Sequence, residues 1–172
     1  MRDRDALFRG DPSILNKDPE QLKTMLREAV GERPEPPGSR QRLVRVARMF
    51  ARRRVPFRHQ GRALSGMDCI GLVICAAAAI GLKLPDRSGY ARDLQGRELE
   101  HAMDEHLIRL LRPEPGAVIL LRFNDAKRHV ALLGTHDMIH AWDRVGYVCR
   151  HDYADWFRDR TAAVYRIPGT WT

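Results

Sequence analysis

Thirteen consecutive residues, Ile70 to Leu82 (IGLVICAAAAIGL), carry no charge and nothing more polar than one thiol. The length and the four successive alanines predict an α-helix ending near Gly81, and a helix apolar all round must be covered all round. The run falls short of the roughly 18 apolar residues that a membrane span takes, so its cover has to come from the rest of the chain. That cover is offered after Pro115, where the hydrophobic period changes. The segments GAVILLRF, HVALLGT, MIHAW, GYVCR and AAVYRIP are short β-rich runs divided by turn residues at Asn124-Asp125, His136-Asp137 and Asp143-Arg144. Helices first and a meandering antiparallel sheet afterwards is the α+β pattern.

Punctuation divides the chain into an appendage, residues 1–38, and a compact domain, residues 39–172. Residues 1–17 have no periodicity and read as an extended arm. Asp18-Pro19 starts a short helix with Leu22, Met25, Leu26 and Ala29 on one face, and Gly31 ends it. The segment RPEPPGS, Arg33 to Ser39, is a stiff linker. Ser39 then caps a second helix, which buries Leu43, Val46, Ala47 and Phe50 and stops at Val55-Pro56. The stretch PFRHQGRALSGM reads as loop, and Leu99, Met103, Leu107 and Leu110 mark a later amphipathic helix.

Charge adds one further constraint. The chain of 172 residues carries a net +8, from 26 Arg and 4 Lys, and nine of those Arg lie between Arg40 and Arg62 with no acid among them. Such a stretch suits an anionic partner, and a solvated helix face is the plain alternative. No aromatics interleave with it and no nucleic-acid motif accompanies it, so nucleic acid is not an expected partner. The amino terminus, MRDRDALFRGDPS, lacks the apolar stretch of a secretory signal. Three cysteines, Cys69, Cys75 and Cys149, make no disulfide framework, and free thiols are expected.

Cys69 differs from the other two by its position. Asp68 suits an N-cap, which puts Cys69 on the first turn of the apolar helix, where unpaired N–H groups favour an anionic side chain. That position lowers a thiol's pKa and prepares a nucleophile, whereas Cys75 lies inside the helix as packing. Gly66 and Gly71 beside it leave room for another chain to approach. A thiolate needs a base and a group to orient that base. His129 begins HVALLGT and His140 lies in MIHAW; a turn at Thr135 to Asp137 would set them side by side, facing the helix that begins with Cys69. A structural role for each strand histidine is the competing reading. Cys69, His129, His140 and His151 include no ligand pair at zinc-site spacing, and neither a metal nor another cofactor is expected.

The ordered set DCxGLV, PGxVxLxRF, HVALLG and MIHA closely resembles the NlpC-type cell-wall peptidases, a papain-like cysteine peptidase family. The prelude VPFRHQG, Val55 to Gly61, is most similar to the branch found in phage tails and gene transfer agents. The resemblance spans about residues 40–168. It implies a papain-like α+β fold with the cysteine helix packed on an antiparallel sheet. It also implies Cys69 as nucleophile, His129 as general base, His140 as its orienting partner, and hydrolysis of an amide bond in the peptidoglycan stem peptide. One departure stands out: many members have tyrosine where this chain has Phe57, so that oxyanion donor is missing. The backbone N–H of Cys69, with His59 or Gln60 nearby, is the substitute, and a lost donor costs about 10²–10³ in rate. The resemblance further implies a virion tail-tip location, action at the bacterial cell wall, and docking to tail or hub proteins through residues 1–38. The competing class is a tail adaptor that keeps the fold with little or no catalysis.

Overall fold

The structure, a computed structural model, describes residues 38–86, 89–90, 97–124 and 128–171. Helix α1 (Arg40–Arg52) begins where the Ser39 hydroxyl accepts from the Arg42 amide, and it buries Leu43, Val46, Ala47 and Phe50. A small hairpin, β1 (Arg62–Ala63) and β2 (Gly66–Met67), leads into α2 (Cys69–Ala79). Then come α3 (Glu98–His106), β3 (Ile108–Leu110), β4 (Val118–Arg122), β5 (Arg128–Leu133), β6 (Asp137–Trp142), β7 (Tyr147–Asp152), α4 (Asp155–Arg158) and β8 (Thr161–Arg166). Strands β3 to β8 form one antiparallel sheet in the order β3-β8-β4-β5-β6-β7.

Alternation along the strands sorts the core into two layers. Val118, Leu120, Val130, Leu132, Ile139, Ala141 and Tyr165 pack with α1 and α2 on one face. Ile119, Leu121, Ala131, Leu133 and Met138 pack on the other, where Phe157 of α4 joins them. Leu72, Ala76, Ala77 and Ala79 of α2 are buried, as a largely covered apolar helix requires. A fully buried leucine such as Leu72 contributes about 1.5–3 kcal/mol through its removal from water. Gly81, at φ +85°, ends the helix in a conformation that side chains resist. Among the described residues no helix is long and apolar enough to cross a membrane.

The fold departs from the sequence expectations at several points. The stretch Pro56 to Met67 is not all loop, because β1 and β2 pair within it. The amphipathic helix ends at His106; Leu107 is extended and Leu110 belongs to β3, which pairs with β8. Helical spacing continued past the real end because a strand edge also wanted apolar residues. The space at Gly71 and Gly66 is filled from within: a Cβ at Gly71 would lie 2.1 Å from the Gly61 carbonyl oxygen, and one at Gly66 would lie 2.6 Å from Arg58 Cβ.

The arginine stretch is partly internal bracing. Arg40 pairs with Glu114, Arg48 with Asp137 at 2.6 Å, and Arg62 with Asp68 and Asp86, while Arg54 stacks 4.1 Å over the Tyr147 ring. Glu114 and Asp137 come from distant sequence, so Arg40 and Arg48 looked unpaired only along the chain. The arm and the helix expected at Asp18 to Gly31 lie outside the described residues. Gly38, the first described residue, donates its amide to the Ile80 carbonyl at 3.0 Å.

Candidate active site

Cys69 opens α2, and the Asp68 carboxylate caps the helix by accepting from the Gly71 amide at 2.7 Å. The same carboxylate accepts from the Gln60 amide at 2.8 Å, from the Arg62 guanidinium at 3.1 Å and from the Tyr90 hydroxyl at 2.6 Å. Four donors on a 3 % exposed carboxylate fix the first turn of the helix. Cys69 is itself only 8 % exposed. Burial, and then the negative charge of Asp68, push its thiol up to about 12, against hydrogen bonding from the backbone of Val130, Ile70 and Cys69 itself. The helix start favours the anion, as the sequence implied, but burial outweighs it. At rest this sulfur is a thiol, so it needs a base.

The Val130 backbone that bonds to the sulfur belongs to the residue after His129. His129 Nε2 lies 2.7 Å from His140 Nδ1, and His140 Nε2 lies 2.8 Å from His151 Nδ1. The three rings form a relay across β5, β6 and β7. Their faces correct one expectation: His129 and His140 alternate with Val130, Ile139 and Ala141, so they lie on the sheet face opposite α2. His140 packs 6.3 Å from Phe157 there. The cysteine meets the sheet through the β5 main chain rather than across the helix–sheet interface. Burial, then the neighbouring His129 and His151, hold the fully buried His140 down to about 2, so it stays neutral. Burial also lowers His151.

Each imidazole in the relay donates at one end and accepts at the other, so two directions are possible. In one, His129 Nε2–H donates to His140 and His140 Nε2–H donates to His151, which leaves Nδ1 of His129 as the basic nitrogen. In the other, every proton sits one nitrogen over. Cys149 Sγ lies 3.8 Å from His151 Nδ1, and a thiol donating there favours the first direction.

The remaining expected residues surround the helix start. Phe57 is half-buried against the core, with its amide donating to the Gly146 carbonyl at 2.8 Å. His59 Nε2 lies 3.1 Å from the Tyr90 carbonyl oxygen, and the Gln60 amide group donates to the same oxygen at 3.0 Å. Both side chains therefore hold the Tyr90 segment. Gln60 also adopts φ +56°, which turns its backbone amide to Asp68. Tyr90 is the residue that the sequence did not assign to this site, and His151, weighed there only as a zinc ligand, joins it through His140; the structure brings them to Asp68 and His140. An apolar pocket of about 190 Å³ opens along α2, lined by Ile70, Val73, Leu99, Met103 and Val130.

A family model described as the NlpC/P60 family matches residues 54–166, about two-thirds of the chain. The chain belongs to the NlpC/P60 family. Among solved structures, it resembles an NlpC/P60 family protein from Bacillus cereus with TM-score 0.59 and 19 % identity, over 77 % of this chain and 41 % of that one. A Staphylococcus aureus protein described as similar to lipoprotein, of the NLP/P60 family, matches with TM-score 0.53 and 14 % identity, over 88 % of this chain and 62 % of that one. The NlpC/p60 domain of the peptidoglycan hydrolase SagA matches with TM-score 0.51 and 18 % identity, over 74 % of this chain and 98 % of the domain. These likenesses show the papain-like α+β fold. The chain thus spans less than two-thirds of the first two proteins' length. No curated protein matched the sequence.

Proposed function

We propose that the chain is a cysteine endopeptidase that hydrolyses an amide bond in the peptidoglycan stem peptide. Cys69 is the nucleophile, His129 the general base and His140 the residue that orients it. The observation that carries this reading is the junction at β5: the thiol bonds to the Val130 backbone while the preceding residue, His129, is locked at 2.7 Å to His140. With His129 Nε2–H donated to His140, Nδ1 receives the thiol proton as sulfur attacks the carbonyl carbon. The tetrahedral oxyanion takes the Cys69 backbone N–H, and the imidazolium returns its proton to the leaving amine. Water then releases the acyl group by the same route. The SagA domain, described as part of a peptidoglycan hydrolase, supports the substrate class.

The prelude Val55 to Gly61 and the Pro-rich segment at Arg33 to Ser39 support a phage-type tail-tip or gene-transfer-agent enzyme, docked through residues 1–38 and acting on the cell wall. Digestion of purified peptidoglycan, with new amino termini identified by mass spectrometry, tests the activity; wild type should release them and Cys69→Ala should not. A second reading, a tail adaptor with weak or no catalysis, is favoured by the buried thiol and by Phe57 in the tyrosine position. If Phe57→Tyr fails to raise release from an inactive wild type, the adaptor reading stands.

A further inference from the structure

We propose that His140, Cys149 and His151 form a binding site for a thiophilic divalent cation such as Zn²⁺, and that its occupancy switches off the Cys69–His129 pair. The binding half stands on geometry alone; the switching half rests on His129 being the base. His140 on β6 lies directly opposite Cys149 on β7, and His151 is two residues further along β7, so all three side chains share one sheet face. Their ligand atoms lie within 4.8 Å of one another, with His140 Nε2 2.8 Å and Cys149 Sγ 3.8 Å from His151 Nδ1. Tetrahedral zinc with bonds of about 2.0–2.3 Å needs ligand separations of roughly 3.3–3.8 Å, so the two nitrogens have to part by about half an ångström. Cys149 and His151 are half-exposed, which leaves a fourth corner for water. Trp142 lies 5.2 Å from His140 and 5.3 Å from His151, and Phe157 packs on both rings, so the imidazoles are held in place before any ion arrives. The local-spacing rule missed the set because its members come from paired strands.

The ion's effect follows from proton bookkeeping in the relay. A metal on His140 Nε2 takes that nitrogen's lone pair, so the ring's proton must sit on Nδ1, from which it donates to His129 Nε2. His129 then carries its own proton on Nδ1, the nitrogen required to accept the proton of Cys69. Each imidazole still holds one proton, and Cys149 loses its thiol proton to solvent as the thiolate binds. The net change is one bound cation and one released proton, with no redox step.

The test uses the full-length chain and Co²⁺ as a spectroscopic probe. In a Cys69→Ala background, one Co²⁺ should bind per chain with a thiolate-to-cobalt charge-transfer band, and adding Cys149→Ser should abolish that band. Loss of the band in Cys69→Ala alone would put the metal on the nucleophile, and persistence in the double variant would put it elsewhere; either overturns the site. Circular dichroism on both variants checks that they are folded. For the switch, Zn²⁺ should inhibit peptidoglycan hydrolysis by otherwise wild-type protein, and Cys149→Ser should need at least about tenfold more Zn²⁺ for the same fractional inhibition. Equal sensitivity overturns the switch. A chain without measurable hydrolysis but with the Cys149-dependent band keeps the metal site and refutes the catalytic reading on which the switch depends.

Discussion

Substituting Asp68 should move stability and thiol reactivity in opposite directions. Its carboxylate is 3 % exposed and accepts from Gly71, Gln60, Arg62 and Tyr90. Losing an N-cap costs about 1 kcal/mol, and breaking a buried charged pair costs about 3–5 kcal/mol. The two overlap in this network, so Asp68→Ala should lose about 3–5 kcal/mol. Asp68→Asn keeps the shape, but its amide nitrogen must face one pair of these donors, so a loss of roughly 2–4 kcal/mol follows. At about 2–4 °C per kcal/mol for a domain of this size, the midpoint should fall by roughly 10 °C in thermal unfolding followed by circular dichroism. The same change removes the charge that helps hold the Cys69 thiol up to about 12. The thiol pKa should therefore fall, and iodoacetamide should label Cys69 faster at neutral pH, well below the midpoint. Cys75, 1 % exposed in the same helix, reports local opening and should stay unlabelled. An unchanged midpoint, or a folded Asp68→Asn protein labelled no faster at Cys69, refutes the argument.

Three further outcomes follow from the same structure. Cys149 is half-exposed and raised by burial to about 11, less than Cys69 or Cys75; a faster reaction at Cys69 in wild-type protein therefore requires a base, and His129→Ala should make Cys149 the first thiol labelled, read by peptide mass spectrometry. Asp137 is held by Arg48 at 2.6 Å and Arg150 at 2.7 Å; burial alone would raise its pKa, but the two arginines lower it. Its contribution is therefore present above the unfolded carboxylate pKa and lost as pH falls through the lower folded value. Asp137→Asn should cost about 2–3 kcal/mol in urea unfolding at neutral pH, and the deficit should shrink in acid. Gly71→Ala would set a Cβ 2.1 Å from the Gly61 carbonyl oxygen, so about 3 kcal/mol or more should be lost in the same assay; a neutral result would mean that the β1 turn yields freely.

Most of the fold was legible because its signals are local. The polar cap at Ser39, the apolar run after Cys69 and the β-rich runs after Pro115 each state a backbone preference within a few residues, and each became the expected element. The resemblance in DCxGLV and HVALLG pointed to the family that residues 54–166 match. Cys69 stood out because a helix start is readable from an aspartate followed by apolar residues. Other properties depend on the partners that three dimensions supply. The acids facing Arg40 and Arg48 come from distant sequence, so the basic stretch read as unpaired. The thiol's pKa follows from burial, which the chain reveals only once its sheet is folded against α2. Strand alternation turned His129 and His140 away from the helix, while the β6–β7 pairing brought His151 and Cys149 to His140. Spacing along the chain fixes which residues share an element; the pairing of strands decides which side chains exchange protons.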